Sequence, residues 1–285
     1  MTEPRWSPPG PALLFAPADR PDRFAKAAAR ADAVILDLED GAASADPAAK
    51  RAAVAGAADA AGLDPARVIV RITGPGEPTF AGDLAMVRES PFDTVIVPKL
   101  GAEVPAELAG LKVIALVETP AALLNLAAIA AHPDVVALYW GADDLAAGLG
   151  GDSSRRGPGE PAPGAYRDPQ RLARTWTLVH AAAAGIPAID AVWADFSDPE
   201  GQYAEARDAA GCGFAAVACI HPATAAAVRR AYAPSAAQLA RARRILDAAG
   251  AAVGAFTVDG AMVDAPVVAQ ARITVARARA AGMAG

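Results

Sequence analysis

The 285-residue chain contains few cysteine, histidine, lysine and aromatic residues. Its two cysteines, Cys212 and Cys219, are too few for a metal cage, and in a chain of this length they do not indicate a disulfide framework. With only three histidines, a zinc site built from histidine and cysteine is not expected. The low cysteine content favours a reducing compartment, so we expect a cytoplasmic protein.

Long apolar runs and an excess of positive charge are missing as well. No apolar run approaches the roughly 18 residues that suggest a membrane span, and residues 1–11 (MTEPRWSPPGP) contain no signal-peptide core. The 26 basic and 32 acidic residues give a net charge of -6, which does not favour nucleic acid as a partner. Because 54% of the residues are hydrophobic, the sequence predicts a soluble protein with a large core.

Short apolar runs alternate with longer Ala-rich segments that have helical periodicity. Each run is nearly continuous in apolar character, which is typical of parallel strands buried on both faces. The sequence predicts eight such strands, at 12–16, 33–38, 67–72, 94–99, 112–118, 135–141, 187–193 and 214–220. Eight successive βα units favour an α/β fold of the (β/α)₈ TIM-barrel type, with an open doubly wound sheet as the alternative.

The chain continues well beyond the eighth unit, and this predicts two structural parts. Residues 1–231 form the barrel, and residues 232–285 form a C-terminal helical extension. Within the extension we expect helices at 235–249 and 265–281, packed outside the barrel or on a neighbouring subunit. A Gly/Pro/Ser-rich loop at 150–167 is longer than an ordinary connection and is a candidate lid.

Charged residues follow nearly every predicted strand, at ends that converge on one face of a barrel. Glu118 and Asp144 follow adjacent strands. Two carboxylates suit Mg²⁺, which completes its coordination sphere with water and substrate. The alternative is that either acid pairs with a nearby base such as Lys99.

Two basic residues and a histidine at strand ends also have competing interpretations. Arg71 offers a planar fork to a carboxylate or an enolate oxygen, but it can also pair with Glu39 or Asp37. A desolvated Lys99 would be a Schiff-base nucleophile. The surrounding carboxylates raise the pKa of a lysine, so an ion pair is favoured. His221 is a site candidate by its position after strand eight.

The turn after the first strand is basic. Arg20, Arg23 and Lys26 lie close together there and are suited to the phosphates of an anionic cofactor. A solvated basic helix face is the alternative. The same two interpretations apply to Arg155 and Arg156 in the long loop.

Eight segments of the chain occur in the same order in a known family. The sequence resembles the citrate lyase β-subunit-like acyl-CoA lyases of the HpcH/HpaI aldolase superfamily, and it is most similar to stand-alone actinobacterial-type members. The resemblance extends from about residue 12 to residue 280 and rests on the motifs LFAPADRPDRFAKA, VILDLEDG, VIVRI, VIVPK, LVETP, WGADDLAAGLGG, ACIHP and GAFTVDGAMVDAPVV.

The resemblance implies specific roles within the barrel. It places the magnesium carboxylates at Glu118 and Asp144 and the substrate-binding arginine at Arg71. Coenzyme A contacts fall on Arg20 and Lys26. We also assign Asp143, which precedes the second metal carboxylate, to substrate binding.

The resemblance also implies an assembly. Family members form trimers whose C-terminal extension caps an adjacent active site. The acid/base aspartate delivered in this way corresponds to Asp264, with Asp259 as the nearby alternative. The expected partners are therefore a CoA ester, a 2-oxo acid and two further copies of the chain.

The activity implied is Mg²⁺-dependent, reversible cleavage of a carboxylated 3-hydroxyacyl-CoA, such as citramalyl-CoA or malyl-CoA, into acetyl-CoA and a 2-oxo acid. Two alternatives remain: an aldolase acting on a free hydroxy-oxo acid, and a non-catalytic subunit that requires an acyl-carrier partner. Three departures from the family pattern, at Ala18, Thr73 and Gly141–Ala142, leave the substrate undefined.

Overall fold

The structure is a computed structural model that describes residues 5–42, 46–250 and 254–283. Eight parallel strands pair in chain order, and the first also pairs with the last. The predicted TIM barrel is therefore confirmed, and the open sheet is excluded. The strands are β1 (Ala12–Pro17), β2 (Ala33–Asp37), β3 (Val68–Arg71), β4 (Thr94–Val97), β5 (Lys112–Val117), β6 (Val135–Trp140), β7 (Ala188–Asp190) and β8 (Ala216–Cys219).

The strands are buried on both faces, which explains their continuous apolar character. Leu13, Ile35 and Ile114 belong to a cluster inside the barrel. Their chain neighbours Leu14 and Val34 belong to the larger cluster between the strands and the surrounding helices. Because alternate residues of a strand point to opposite faces, a strand with apolar residues at every position satisfies both clusters.

Helices surround the barrel, and several begin at a proline with a capping side chain before it. Asp46, Thr119 and Asp198 each accept a backbone N–H in the first turn of the following helix. The helices of the barrel are α1 (Phe24–Arg30), α2 (Pro47–Ala55), α3 (Ala57–Ala60), α4 (Phe80–Glu89), α5 (Pro120–Leu124), α6 (Leu126–Ala131), α7 (Asp143–Gly148), α8 (Asp168–Ala184), α9 (Pro199–Cys212) and α10 (Pro222–Tyr232). Short 3₁₀ turns lie at Pro21–Arg23, Asp40–Ala42, Pro65–Arg67 and Ala106–Leu108.

The C-terminal extension has an apolar cluster of its own. It comprises α11 (Ala236–Ala249), β9 (Phe256–Val258), β10 (Ala261–Val263) and α12 (Ala265–Ala280). Side chains of α11, β9, β10 and α12 form this small cluster, which includes Ile245 and Val263. The two predicted helices are confirmed, whereas the antiparallel β9–β10 pair was not predicted.

The long loop at 150–167 is attached to the barrel through Arg155 and Tyr166. Arg155 pairs with Tyr166 in an isolated β-bridge, and its guanidinium lies 2.7 Å from a carboxylate oxygen of Glu205. The same guanidinium lies over the rings of Tyr166 and Trp193, at 3.7 and 4.8 Å from their centroids. Both ends of the loop are thus held, and its action as a lid stays a prediction. Among the described residues, no helix is long and apolar enough to cross a membrane.

Candidate active site

A cavity of about 600 Å³ opens where the carboxyl ends of the strands converge. It brings together charged residues that are far apart in sequence, from strand ends and from the first helical turn after β1: Arg23, Lys26, Asp37, Arg71, Glu118, Asp143 and Asp144. The remaining lining is largely apolar and includes Phe15, Leu116, Tyr139, Val192 and Ile220. A largely apolar cavity in which a small number of polar groups converge is typical of a binding site for a small molecule.

Glu118 is a buried carboxylate of the cavity, and no side chain of the described residues forms an ion pair with it. It is 4% exposed, and its Oε1 accepts the backbone N–H of Lys99 at 2.8 Å. Burial, and then the nearby charge of Asp144, raise the pKa of Glu118 to about 8. Two carboxylates that repel each other in this way form a site that a cation would stabilise.

The donor set of this pair fits magnesium. Both side chains offer hard oxygen atoms, and Mg²⁺ is commonly held by one or two carboxylates together with water and substrate. Across the described residues, no group of three or more histidine, cysteine, aspartate or glutamate side chains forms an alternative metal centre.

The absence of a side chain at residue 141 makes room for Glu118. A Cβ atom at Gly141 would lie 2.7 Å from Glu118 Oε2 and 2.9 Å from its Cβ. Real Cβ atoms essentially never approach another atom so closely. Glycine at this position therefore lets the carboxylate sit against the β6 backbone.

Arg71 is fixed by two carboxylates. Its Nε and Nη2 donate to the two oxygens of Asp37, each at 2.7 Å, and its Nη1 lies 2.9 Å from Glu39 Oε2. The guanidinium also lies over the Phe15 ring, 4.7 Å from the centroid. Burial alone would lower the pKa of Arg71, but the bonds and charges of Asp37 and Glu39 raise it. The pairing left open by the sequence is therefore present, and the guanidinium is oriented at the cavity wall.

Lys99 forms the favoured ion pair. Its Nζ lies 2.6 Å from Glu39 Oε1 and 3.4 Å from Asp40 Oδ2. Burial would lower the pKa of Lys99, but these carboxylates outweigh that effect and raise it. A lysine held as a cation is a poor nucleophile, so the geometry does not favour Schiff-base chemistry. Lys99 instead contributes its backbone N–H to Glu118, from a left-handed conformation with φ of 52°.

The basic turn after β1 divides into two parts. Arg20 donates to both oxygens of exposed Asp22, at 3.0 Å each, and is not among the cavity-lining residues. Arg23 and Lys26 do line the cavity. His221 lines it too, and its ring stacks on Phe196 with centroids 5.4 Å apart.

The two aspartates predicted as alternatives for the acid/base lie in the extension and do not line this chain's cavity. Asp264 caps α12, accepting the N–H of Val267 at 3.4 Å. Asp259 is 2.6 Å from Arg244 within the extension. Among the described residues of a single chain, therefore, the cavity contains Glu118, Asp144 and Arg71 but neither Asp264 nor Asp259.

Two residues of the cavity floor were missed by the sequence reasoning. The ring of Phe15 lies against the guanidinium of Arg71. Tyr139 is a buried residue of β6, which pairs with β5 and β7, and it also lines the cavity. The sequence did not single out Tyr139, because every residue of β6 is buried. An unbroken apolar run does not show which alternate side chains point into the barrel and which point toward the helices.

Comparisons with known proteins agree with this arrangement. The sequence profile of the family described as HpcH/HpaI aldolase/citrate lyase matches residues 12–222. A citrate lyase subunit beta-like protein of Mycobacterium tuberculosis (strain ATCC 25618 / H37Rv) is 49% identical over 270 residues, covering 94% of this chain and 96% of that protein. A (3S)-malyl-CoA thioesterase of Cereibacter sphaeroides (strain ATCC 17029 / ATH 2.4.9) is 32% identical over 282 residues, covering 94% of each. The crystal structure of CitE from Mycobacterium tuberculosis with magnesium, acetoacetate and coenzyme A is similar, with a TM-score of 0.86 and 49% identity over 95% of this chain and 98% of that chain.

Proposed function

Since the chain belongs to the HpcH/HpaI aldolase/citrate lyase family and is therefore a carbon–carbon lyase, we propose that it cleaves a carboxylated 3-hydroxyacyl-CoA reversibly into acetyl-CoA and a 2-oxo acid. The observation that carries the proposal is the meeting of Glu118, Asp144 and Arg71 in one cavity. Two carboxylates for Mg²⁺ beside an oriented guanidinium are suited to a substrate with a carboxylate next to a carbonyl or hydroxyl.

Magnesium held by Glu118 and Asp144 would polarise the carbonyl of the oxo acid and fix its orientation. Arg71 would stabilise negative charge on the same oxygen or on the thioester enolate. A guanidinium has five N–H groups, and Asp37 and Glu39 take three of those of Arg71. Two N–H groups are left for the substrate, already held in place before it binds.

The thioester half would extend toward the basic turn. Lys26 lines the cavity and Arg20 stands at the start of the same turn, so both are proposed to contact the phosphates of coenzyme A. Arg23, which also lines the cavity, is added to this set. Asp143, beside Asp144 on the cavity wall, is proposed to contact the substrate.

Asp264 is proposed to move the proton, taking it from the acetyl methyl group in condensation and returning it in cleavage. Because it does not line its own chain's cavity, it would act in the cavity of an adjacent subunit in a homotrimer. The extension, residues 232–285, would then cap the neighbouring site.

Removal of this acid/base tests both the role and the assembly. Asp264→Asn should lower turnover by about 10²–10⁴ while leaving Mg²⁺ and oxo-acid binding unchanged in calorimetry. Asp259→Asn is the matched control and should retain turnover. If Asp264 acts in a neighbouring subunit, mixing Asp264→Asn with inactive Glu118→Gln should restore activity. Full turnover of Asp264→Asn would eliminate the role.

A product assay tests the function itself. Purified protein is offered (R)- and (S)-citramalyl-CoA, malyl-CoA and citryl-CoA, with and without Mg²⁺. Metal-dependent formation of acetyl-CoA and a 2-oxo acid supports the lyase. Release of free coenzyme A and the intact hydroxy acid indicates a thioesterase, the activity in the name of the 32% identical relative. Cleavage of free hydroxy-oxo acids alone would indicate the aldolase, and activity only with an added acyl-carrier protein would indicate the subunit.

A further inference from the structure

One buried polar group of the cavity has no role in the mechanism above. Tyr139 of β6 is 5% exposed and packs inside the barrel with Leu116, its register neighbour on β5. It lines the same cavity as Arg71 and Glu118. The charges of both residues act on Tyr139, since burial raises its pKa, Arg71 opposes that rise and Glu118 adds to it.

The hydroxyl of Tyr139 differs from those of the other buried tyrosines. Tyr166 donates to Glu205 and Tyr232 donates to the carbonyl of Phe214, each at 3.1 Å. No hydrogen bond joins the Tyr139 hydroxyl to another residue within 5–42, 46–250 and 254–283. It is also not among the fully enclosed polar atoms that lack a partner, so the hydroxyl is reached from the cavity.

Buried tyrosine hydroxyls normally find a hydrogen-bond partner. A hydroxyl that has none among the described residues, and that faces a cavity lined by several charged side chains, is arranged for a ligand atom. The substrate of the proposed reaction brings acceptor oxygens into the same cavity.

We propose that Tyr139 is a substrate-binding residue whose hydroxyl donates a hydrogen bond to a carboxylate or carbonyl oxygen of the oxo acid, in the cavity that Arg71 and Glu118 also line. This inference rests on the proposed function, because that function supplies the ligand. It adds a neutral donor to the charged groups of the site.

The test uses Tyr139→Phe, which removes only the oxygen atom. Binding of pyruvate, glyoxylate and oxaloacetate to the Mg²⁺-saturated protein is measured by calorimetry, without turnover. A hydrogen bond to a charged group corresponds to roughly ten- to hundred-fold in affinity, and we expect a loss of that order for Tyr139→Phe. Binding of Mg²⁺ alone should not change.

Thermal unfolding separates substrate binding from a structural role. Because the Tyr139 hydroxyl has no partner to lose among the described residues, the midpoint of the ligand-free Tyr139→Phe protein should equal or exceed that of the wild type. Tyr232→Phe is the matched control, which loses a bond to Phe214. It should unfold at a lower temperature and bind oxo acids normally.

The outcomes distinguish the two proposals. Unchanged oxo-acid affinity in Tyr139→Phe, with normal binding by the wild type, overturns the inference and leaves the proposed function intact. A lower unfolding midpoint with unchanged affinity assigns Tyr139 to the fold and also overturns it. A wild-type protein that binds Mg²⁺ but no oxo acid rejects the proposed function instead.

Discussion

Replacement of Arg71 by alanine is expected to destabilise the fold as well as the reaction. The side chain of Arg71 is 15% exposed, and its partners Asp37 and Glu39 are only 2% and 7% exposed. Arg71→Ala would leave two buried carboxylates without the cation that faces both of them. Removing one partner of a buried ion pair destabilises a protein by about 3–5 kcal/mol, because the other charge stays buried without compensation.

The remaining contacts place the loss toward the lower end of that range. Asp37 keeps the backbone N–H groups of Glu39 and Gly41, at 3.0 and 3.1 Å. Glu39 keeps the Nζ of Lys99 at 2.6 Å. We therefore expect Arg71→Ala to lower the free energy of unfolding by about 3 kcal/mol, measured by urea denaturation and followed by circular dichroism.

An exposed ion pair provides the control. Arg230 and Glu200 approach to 2.6 Å, but their side chains are 55% and 74% exposed. Exposed pairs contribute about 0–1 kcal/mol, so Arg230→Ala should hardly change the urea midpoint. Adding Asp37→Asn to Arg71→Ala should recover stability, since it removes one uncompensated charge. Equal losses for Arg71→Ala and Arg230→Ala, or no recovery in the double variant, would refute the argument from burial.

Further predictions concern Glu118 and Asp144, the proposed magnesium ligands. In the metal-free protein the pKa of Glu118 is about 8, against an ordinary 4.5. The unfolded chain therefore loses this proton first as pH rises, so stability should fall between about pH 5 and 8. At pH 7, Mg²⁺ binding should therefore release nearly one proton from Glu118. Calorimetry in buffers of different ionisation enthalpy measures this release, and an affinity for Mg²⁺ that does not change with pH would contradict it. Gly141→Ala should weaken Mg²⁺ binding by pushing Glu118 away, whereas Gly101→Ala, where a Cβ would meet nothing within 4 Å, should not.

Most of the barrel was predictable because its strands are buried on both faces. Runs such as VIVR in β3 and TVIV in β4 have no polar alternation that would suggest a one-sided sheet. Eight such runs in series favoured a closed barrel over an open sheet, and the pairing of β1 with β8 in the structure decides between the two. The β9–β10 pair escaped prediction because its apolar strands, FTV and AMV, have only three residues each. The Asp259–Gly260 pair between them, with positive φ at both residues, was the available signal for a hairpin turn.

The sequence predicted which strand-end residues meet in the cavity, but not which basic residues of the turn after β1 face it. Strand ends correctly brought Arg71, Glu118 and Asp144 into one cavity. The sequence did not show that Arg23 faces the cavity while Arg20 turns back to Asp22. The direction in which each arginine points depends on its rotamer and on the backbone path of the turn. The spacing of residues along the chain does not determine either.

Two strand-end carboxylates show what separates a structural acid from one available for chemistry. Asp190, 1% exposed, accepts the indole N–H of Trp140 at 2.6 Å, the guanidinium of Arg174 at 2.8 Å and its neighbour's backbone N–H at 3.1 Å. Its charge is fully compensated within the protein. Glu118, 4% exposed, accepts one backbone N–H and is repelled by Asp144. Because the two carboxylates are buried to a similar extent, they differ mainly in how many hydrogen bonds and positive charges offset their negative charge. Glu118 has fewer of these than Asp190, so a bound cation would stabilise Glu118 more.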